Sequence, residues 1–180
     1  MSFQPGERVF VDESKARGYY IAAAATARGD VPTIEKTLRS LRHGGRSTIH
    51  FTQETNRRDL LLREFCKLDV RVTIYVMKGA KDRIARPRLL QELVADLVTG
   101  GAADVVLERD ESVEEIDRRI IRAKLDQLGA LGTLTYGHRN KTEQPLLWVA
   151  DAAAWCHQAG SPWTGKVASI IERVVTIPAG

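Results

Sequence analysis

Three acids in this chain stand in apolar surroundings, and their setting suggests chemistry. Asp12 ends the run Val9-Phe10-Val11, and in an extended segment the following Glu13 points to the opposite face. Glu108 ends Val105-Val106-Leu107, and Asp151 is the only charged residue between Leu146 and Trp155. An ionised carboxylate in such a place is costly to desolvate unless a cation or hydrogen-bond donors compensate it. One compensation is an arginine; another is a divalent metal shared with other acids. Hard carboxylate oxygens suit Mg²⁺ or Mn²⁺, which keep part of their water and bind phosphate as well. Two such ions roughly 4 Å apart activate water and stabilise the leaving oxygen in phosphodiester cleavage. Each acid also has an ordinary structural role open to it. Asp12 can cap the turn after it, Glu108 can open the polar loop Arg109-Asp110-Glu111, and Asp151 can pair with a buried arginine. Taken together the three favour a site, because acids in perturbing surroundings cluster where function needs them.

The elements that must position these acids follow from periodicity and turn chemistry. Arg8–Glu13 and Tyr19–Thr26 read as an antiparallel hairpin, joined by a turn at Ser14–Gly18. Asp30-Val-Pro-Thr opens a helix over about Ile34–Leu41, closed by His43-Gly-Gly. Ser47–Phe51 reads as a short strand, and Leu61, Leu62, Phe65 and Leu68 give Thr55–Leu68 a helical period. Arg71–Met77 alternates Val72, Ile74 and Val76 and is a strand. Pro87 sits in a first helical turn before a helix over Leu89–Leu97, ended by Gly100-Gly101. Asp104–Glu108 is a buried strand, Val113–Leu128 a helix, Gly132–His138 a strand and Pro145–Gln158 a last helix. Strands alternating with helices in the second half imply parallel crossovers in an α/β domain. If the strands of Asp12 and Glu108 are parallel neighbours, both acids emerge at one C-terminal sheet edge, where such sheets place ligands.

A chain of 180 residues, 43% hydrophobic and 28% charged, buries a real core and matches neither collagen-like nor disordered composition. One domain over residues 1–180 is expected, with an insert at about 30–68 and a C-terminal tail at 161–180. No apolar run approaches the roughly 20 residues of a membrane span, and the N-terminus shows no secretory pattern. A soluble, cytoplasmic protein is the expectation. Cys66 and Cys156 have no CxxC partner, which argues against a zinc knuckle or a disulfide framework. The absence of GxSxG and of GxxxxGK[ST] leaves hydrolase-elbow and P-loop chemistry unsupported. The net charge of +4 permits a polyanionic partner such as nucleic acid without demanding one.

The opening VFVDES, the strand ending VVLE and the late helix PLLWVADAAAW resemble an uncharacterised Asp-Glu-Ser domain family. That family is assigned to the ribonuclease-H-like superfamily of nucleases, integrases and resolvases. The resemblance spans about Val9 to Trp155. It implies a mixed sheet flanked by helices, with Asp30–Leu68 inserted after the second strand. It also implies Asp12, Glu108 and Asp151 as the acids of the first strand, fourth strand and last helix. They would hold Mg or Mn in a nuclease. Many relatives carry Gly after Asp-Glu-Ser, where this chain has Lys15, and only Glu92 offers itself as a fourth acid on the first core helix.

Around the three acids, Glu13 and His138 are candidates to support the site or move a proton, and Lys15 to contact a phosphate. His43, His50, Arg57 and Arg58 lie in the insert and read as solvated residues, while Trp148 and Trp155 read as packing. The tail Val167–Ile177 either closes the core or joins a second subunit in a homodimer. The alternative to a nuclease is a domain of the same fold that binds nucleic acid or protein without catalysis.

Overall fold

The computed structural model describes residues 2–180. Strand β1 (Arg8–Ser14) forms a hairpin with β2 (Tyr19–Thr26), and β3 (Arg71–Met77) pairs antiparallel with β2. Strand β4 (Asp104–Glu108) lies parallel to β1, and β5 (Thr135–Arg139) parallel to β4. Strand β6 (Ile171–Thr176) pairs parallel with the free edge of β3 and completes a six-stranded sheet, order β5-β4-β1-β2-β3-β6. The alanine run of β2 is fully buried. Alanine has little strand preference of its own, so the pairing with β1 and β3 and the close packing of both sheet faces decide its conformation.

Alternation along the strands sorts two cores. On one face Val9, Val11, Ile21 and Leu107 pack against α3 (Asp82–Gly100) and α4 (Glu114–Gln127) through Leu89, Leu93, Ile121 and Leu125. On the other, Phe10, Ala22, Ala24 and Val106 pack under α5 (Leu146–Ala159). The small alanines of β2 meet Ala150, Ala153 and Ala154 in the same core, so α5 approaches the sheet closely. The insert joins this core: α1 (Val31–Ser40) and α2 (Arg58–Phe65) bury Ile34, Leu38, Leu61 and Phe65 there. A short helix, α6 (Trp163–Val167), precedes β6.

Several boundaries differ from expectation, each for a physical reason. Residues 47–51 form no strand; Ile49 and Phe51 are buried anchors, and Phe51–Gln53 is a 3-10 turn. The helix expected over Thr55–Leu68 shortens to α2, with turns at either end. Helix α3 starts at Asp82, so Pro87 lies inside it and not in its first turn. Its missing N–H leaves the carbonyl four residues earlier without a helical partner, at exposed Arg83. The predicted C-terminal stop holds: Gly101 is left-handed at φ 75°, and the Ala102 N–H closes back on the Leu97 carbonyl at 3.0 Å. The tail adds the edge strand β6 to the sheet, with Ile170 and Ile177 buried. No helix among the described residues is long and apolar enough to cross a membrane.

Candidate functional site

The parallel register of β1 on β4 sets Val11 beside Leu107, so Asp12 and Glu108 follow side by side at the C-terminal edge. Both continue the α5-facing series of Phe10 and Val106. Helix α5 crosses that face and carries Asp151, which is buried. The three acids predicted from sequence therefore converge, and what they converge on was not predicted. Lys141, in the loop between β5 and α5, places its Nζ 2.9 Å from Asp12 Oδ2, 3.3 Å from Asp151 Oδ2 and 3.9 Å from Glu108 Oε1. Its side chain is 10% exposed.

Hydrogen bonds fix the other sides of the cluster. Asp12 Oδ1 accepts the Glu13 N–H at 2.7 Å, and Asp151 Oδ2 accepts the Phe51 N–H at 3.1 Å, which ties the insert to the site. Trp148 Nε1 donates to the Lys141 carbonyl at 2.9 Å. Asp12 Oδ2 lies 2.9 Å from the ammonium and has no other polar partner among the described residues. Burial raises the Asp12 carboxyl well above the usual carboxylate range; Lys141 opposes this, and Asp151 and Glu108 add to it. Burial alone would lower the Lys141 ammonium, but Asp12, Asp151 and Glu108 outweigh it and hold the group above its ordinary value.

The opposite face of the same strand end holds a second charged cluster. Glu13 contacts Arg86 and accepts the Tyr19 hydroxyl at 2.7 Å. Arg86 donates to the Tyr19 oxygen at 2.7 Å and grips Asp117 twice, Nε at 2.8 Å and Nη2 at 2.7 Å. His138 Nε2 completes the set, 3.0 Å from Asp117 Oδ2. Asp117 is fully buried; burial would raise its carboxyl, but the bonds from Arg86 and His138 hold it below the ordinary value. Lys15 sits on this side, 3.5 Å from Glu13 and 3.8 Å from Asp82. Glu13, His138 and Lys15 thus lie apart from the three acids, and Glu92 is exposed on α3. A cavity of about 10 Å³, room for one water, lies at the strand end beside Asp12, Glu13, Arg86 and Glu108. Cys156, its thiol pushed up to about 12 chiefly by burial, is not a nucleophile at neutral pH.

Sequence reading missed Lys141, Arg86 and Asp117. The latter two carried a signal: Asp117 is in register with Ile121 and Leu125, and Arg86 with Leu90, Leu93 and Leu97. A charge on an apolar helical stripe is a buried charge.

Among the described residues, no three His, Cys, Asp or Glu side chains stand ready-arranged around a metal ion. The donor chemistry at the edge nevertheless fits a hard divalent cation. Three carboxylates face one positive centre, and a buried Asp12 oxygen has no partner besides that ammonium among the described residues.

No family model and no curated protein matches this sequence. Among solved structures the chain is similar to ribonuclease HII of Archaeoglobus fulgidus, seen in complex with PCNA. The identity is 16% and the TM-score 0.53, over 84% of this chain and 71% of that one. Ribonuclease H2 of Pyrococcus horikoshii OT3 matches at 14% identity and a TM-score of 0.49, over 85% and 72% of the two chains. The mixed six-stranded sheet with flanking helices is a ribonuclease-H-like fold.

Proposed function

We propose that this chain is a metal-dependent phosphodiester-cleaving enzyme, a nuclease. The observation that carries the reading is the meeting of Asp12, Glu108 and Asp151 around one buried cationic position at the sheet edge. These three carboxylates would hold Mg²⁺ or Mn²⁺. A bound ion of this kind would polarise a phosphodiester and its attacking water. Asp12 and Asp151 are positioned by backbone N–H groups of Glu13 and Phe51, so two of the three ligands are held in place without the metal. The Arg86 cluster braces the strand end from behind through Glu13; Glu13 and His138 are positioning residues in this reading, and Lys15 is a rim contact for a phosphate. The ribonuclease named in the similar structure and the net charge of +4 favour a nucleic acid as substrate. Membership in the Asp-Glu-Ser family belongs to the same proposal and rests on VFVDES, VVLE and PLLWVADAAAW. Soluble, cytoplasmic action on nucleic acid belongs to it too.

Lys141 in the cation position favours a second reading, a domain that kept the fold and binds nucleic acid or protein without cutting. Cleavage assays separate the two. Wild-type and Asp12→Asn protein are incubated with labelled single-stranded RNA, double-stranded DNA and an RNA–DNA hybrid, in Mn²⁺ or EDTA. The nuclease reading expects Mn²⁺-dependent cleavage of one substrate, reduced by Asp12→Asn to the EDTA level with the fold unchanged by circular dichroism. Turnover retained by Asp12→Asn refutes the assignment, and no cleavage of any substrate favours the binding domain.

A further inference from the structure

We propose that Lys141 is the resting-state cation of the acid site, and that a divalent cation binds by displacing its ammonium. The inference rests on the metal-site reading above and adds an exchange step to it. Lys141 Nζ lies within 4 Å of all three carboxylates, closest to Asp12 at 2.9 Å, and is largely shielded from water. One ammonium balances one of three acids. The unbalanced negative charge that remains draws a dication more strongly than it draws a monocation.

The manner of attachment makes exchange feasible. An arginine here would be locked by paired, planar hydrogen bonds, whereas an ammonium is a compact charge on a flexible four-carbon stem. Its nearest contact, to Asp12 Oδ2 at 2.9 Å, is a single one from a rotatable ammonium, with no paired geometry to lock it. The backbone behind it is fixed: Trp148 holds the Lys141 carbonyl, and the Glu143 and Gln144 N–H groups close on the Asn140 carbonyl. Neighbouring Thr142 and Glu143 are exposed, so the segment that carries Lys141 lies at the surface, and in this exchange rotation of its side chain would take the ammonium to solvent.

The test measures Mn²⁺ binding to the full chain by electron paramagnetic resonance, for wild type, Lys141→Met and Lys141→Gln. If the lysine occupies the site most of the time, its removal tightens Mn²⁺ binding by about tenfold or more. The variants melt below wild type in EDTA and recover disproportionately with Mn²⁺. In the wild type, saturating Mn²⁺ raises the acetylation of Lys141 by an amine reagent, read by peptide mass spectrometry; this arm does not depend on a variant folding. Equal Mn²⁺ affinity in wild type and variants, or acetylation of Lys141 unchanged by bound Mn²⁺, overturns the exchange and leaves the metal site standing. No Mn²⁺ binding by any of the three proteins overturns the metal-site reading itself, and the exchange with it.

Discussion

Replacing Asp117 by Asn tests whether the Arg86 cluster holds the strand end that carries Asp12. Asp117 is fully buried and Arg86 is 10% exposed, so the pair is barely screened by solvent. Asparagine keeps the volume but removes the charge, and its amide sets N–H groups against those of Arg86 or His138. Removing one partner of a buried pair costs about 3–5 kcal/mol. Arg86 retains Glu13 and the Tyr19 hydroxyl, which sets the expectation near the lower end, about 3 kcal/mol. For a chain of this size that is a fall in melting temperature of about 6–12 °C. The pH dependence has a definite sign. The folded carboxyl lies below its ordinary value of 3.8, so its contribution is complete above that pH and is lost as pH falls through the folded value. Urea unfolding followed by circular dichroism at pH 7 and in progressively stronger acid reads the gap between wild type and Asp117→Asn. It should be widest near neutrality and close in acid. A gap under about 1 kcal/mol at pH 7, or one that persists undiminished in acid, would refute the assignment of that stability to Asp117.

Two further substitutions probe the supports of the site. Gly100→Ala ought to gain about 1 kcal/mol from helix propensity alone. The added Cβ would meet the Phe3 carbonyl oxygen at 2.5 Å and Phe3 Cβ at 2.7 Å, so the variant is expected to lose about 1–3 kcal/mol in a thermal melt. A rise in melting temperature would show that the N-terminal segment yields. Trp148→Phe keeps most of the packing but removes the N–H that holds the Lys141 carbonyl. A loss of about 1–2 kcal/mol in urea unfolding is expected, and an unchanged midpoint would mean that this bond does not anchor the loop.

The strands β3 and β4 were legible to the residue because β-branched alternation and buried runs are local signals. Asp12, Glu108 and Asp151 were visible for the same reason, each being a charge inside an apolar stretch. Which face each neighbour takes needs the pairing register. His138 stands beside Leu107 on β4, and so it faces α3 and α4 and not the acids. Glu13 follows from alternation on β1 alone. Residues 47–51 misled because β-branched residues anchor loops as well as strands, and Ile49 and Phe51 are buried here as loop anchors. Lys141 had no sequence signal at all, since Arg139 to Gln144 is polar throughout.

One strand end therefore carries two charged clusters, Asp12 facing α5 around Lys141 and Glu13 facing α3 around Arg86. The cations differ in a way that separates their tasks. Arg86 uses its planar fork on Asp117, bonds Tyr19 and contacts Glu13, so its donors are committed in a fixed geometry. Such a pair specifies structure and is expensive to break. Lys141 serves three carboxylates with one charge on a flexible stem, and it is the sole partner of Asp12 Oδ2 among the described residues. On the α5 side three carboxylates share one ammonium, more negative charge than that cation balances. That imbalance is why the α5 side is where the proposed cation, and through it a phosphate, would bind.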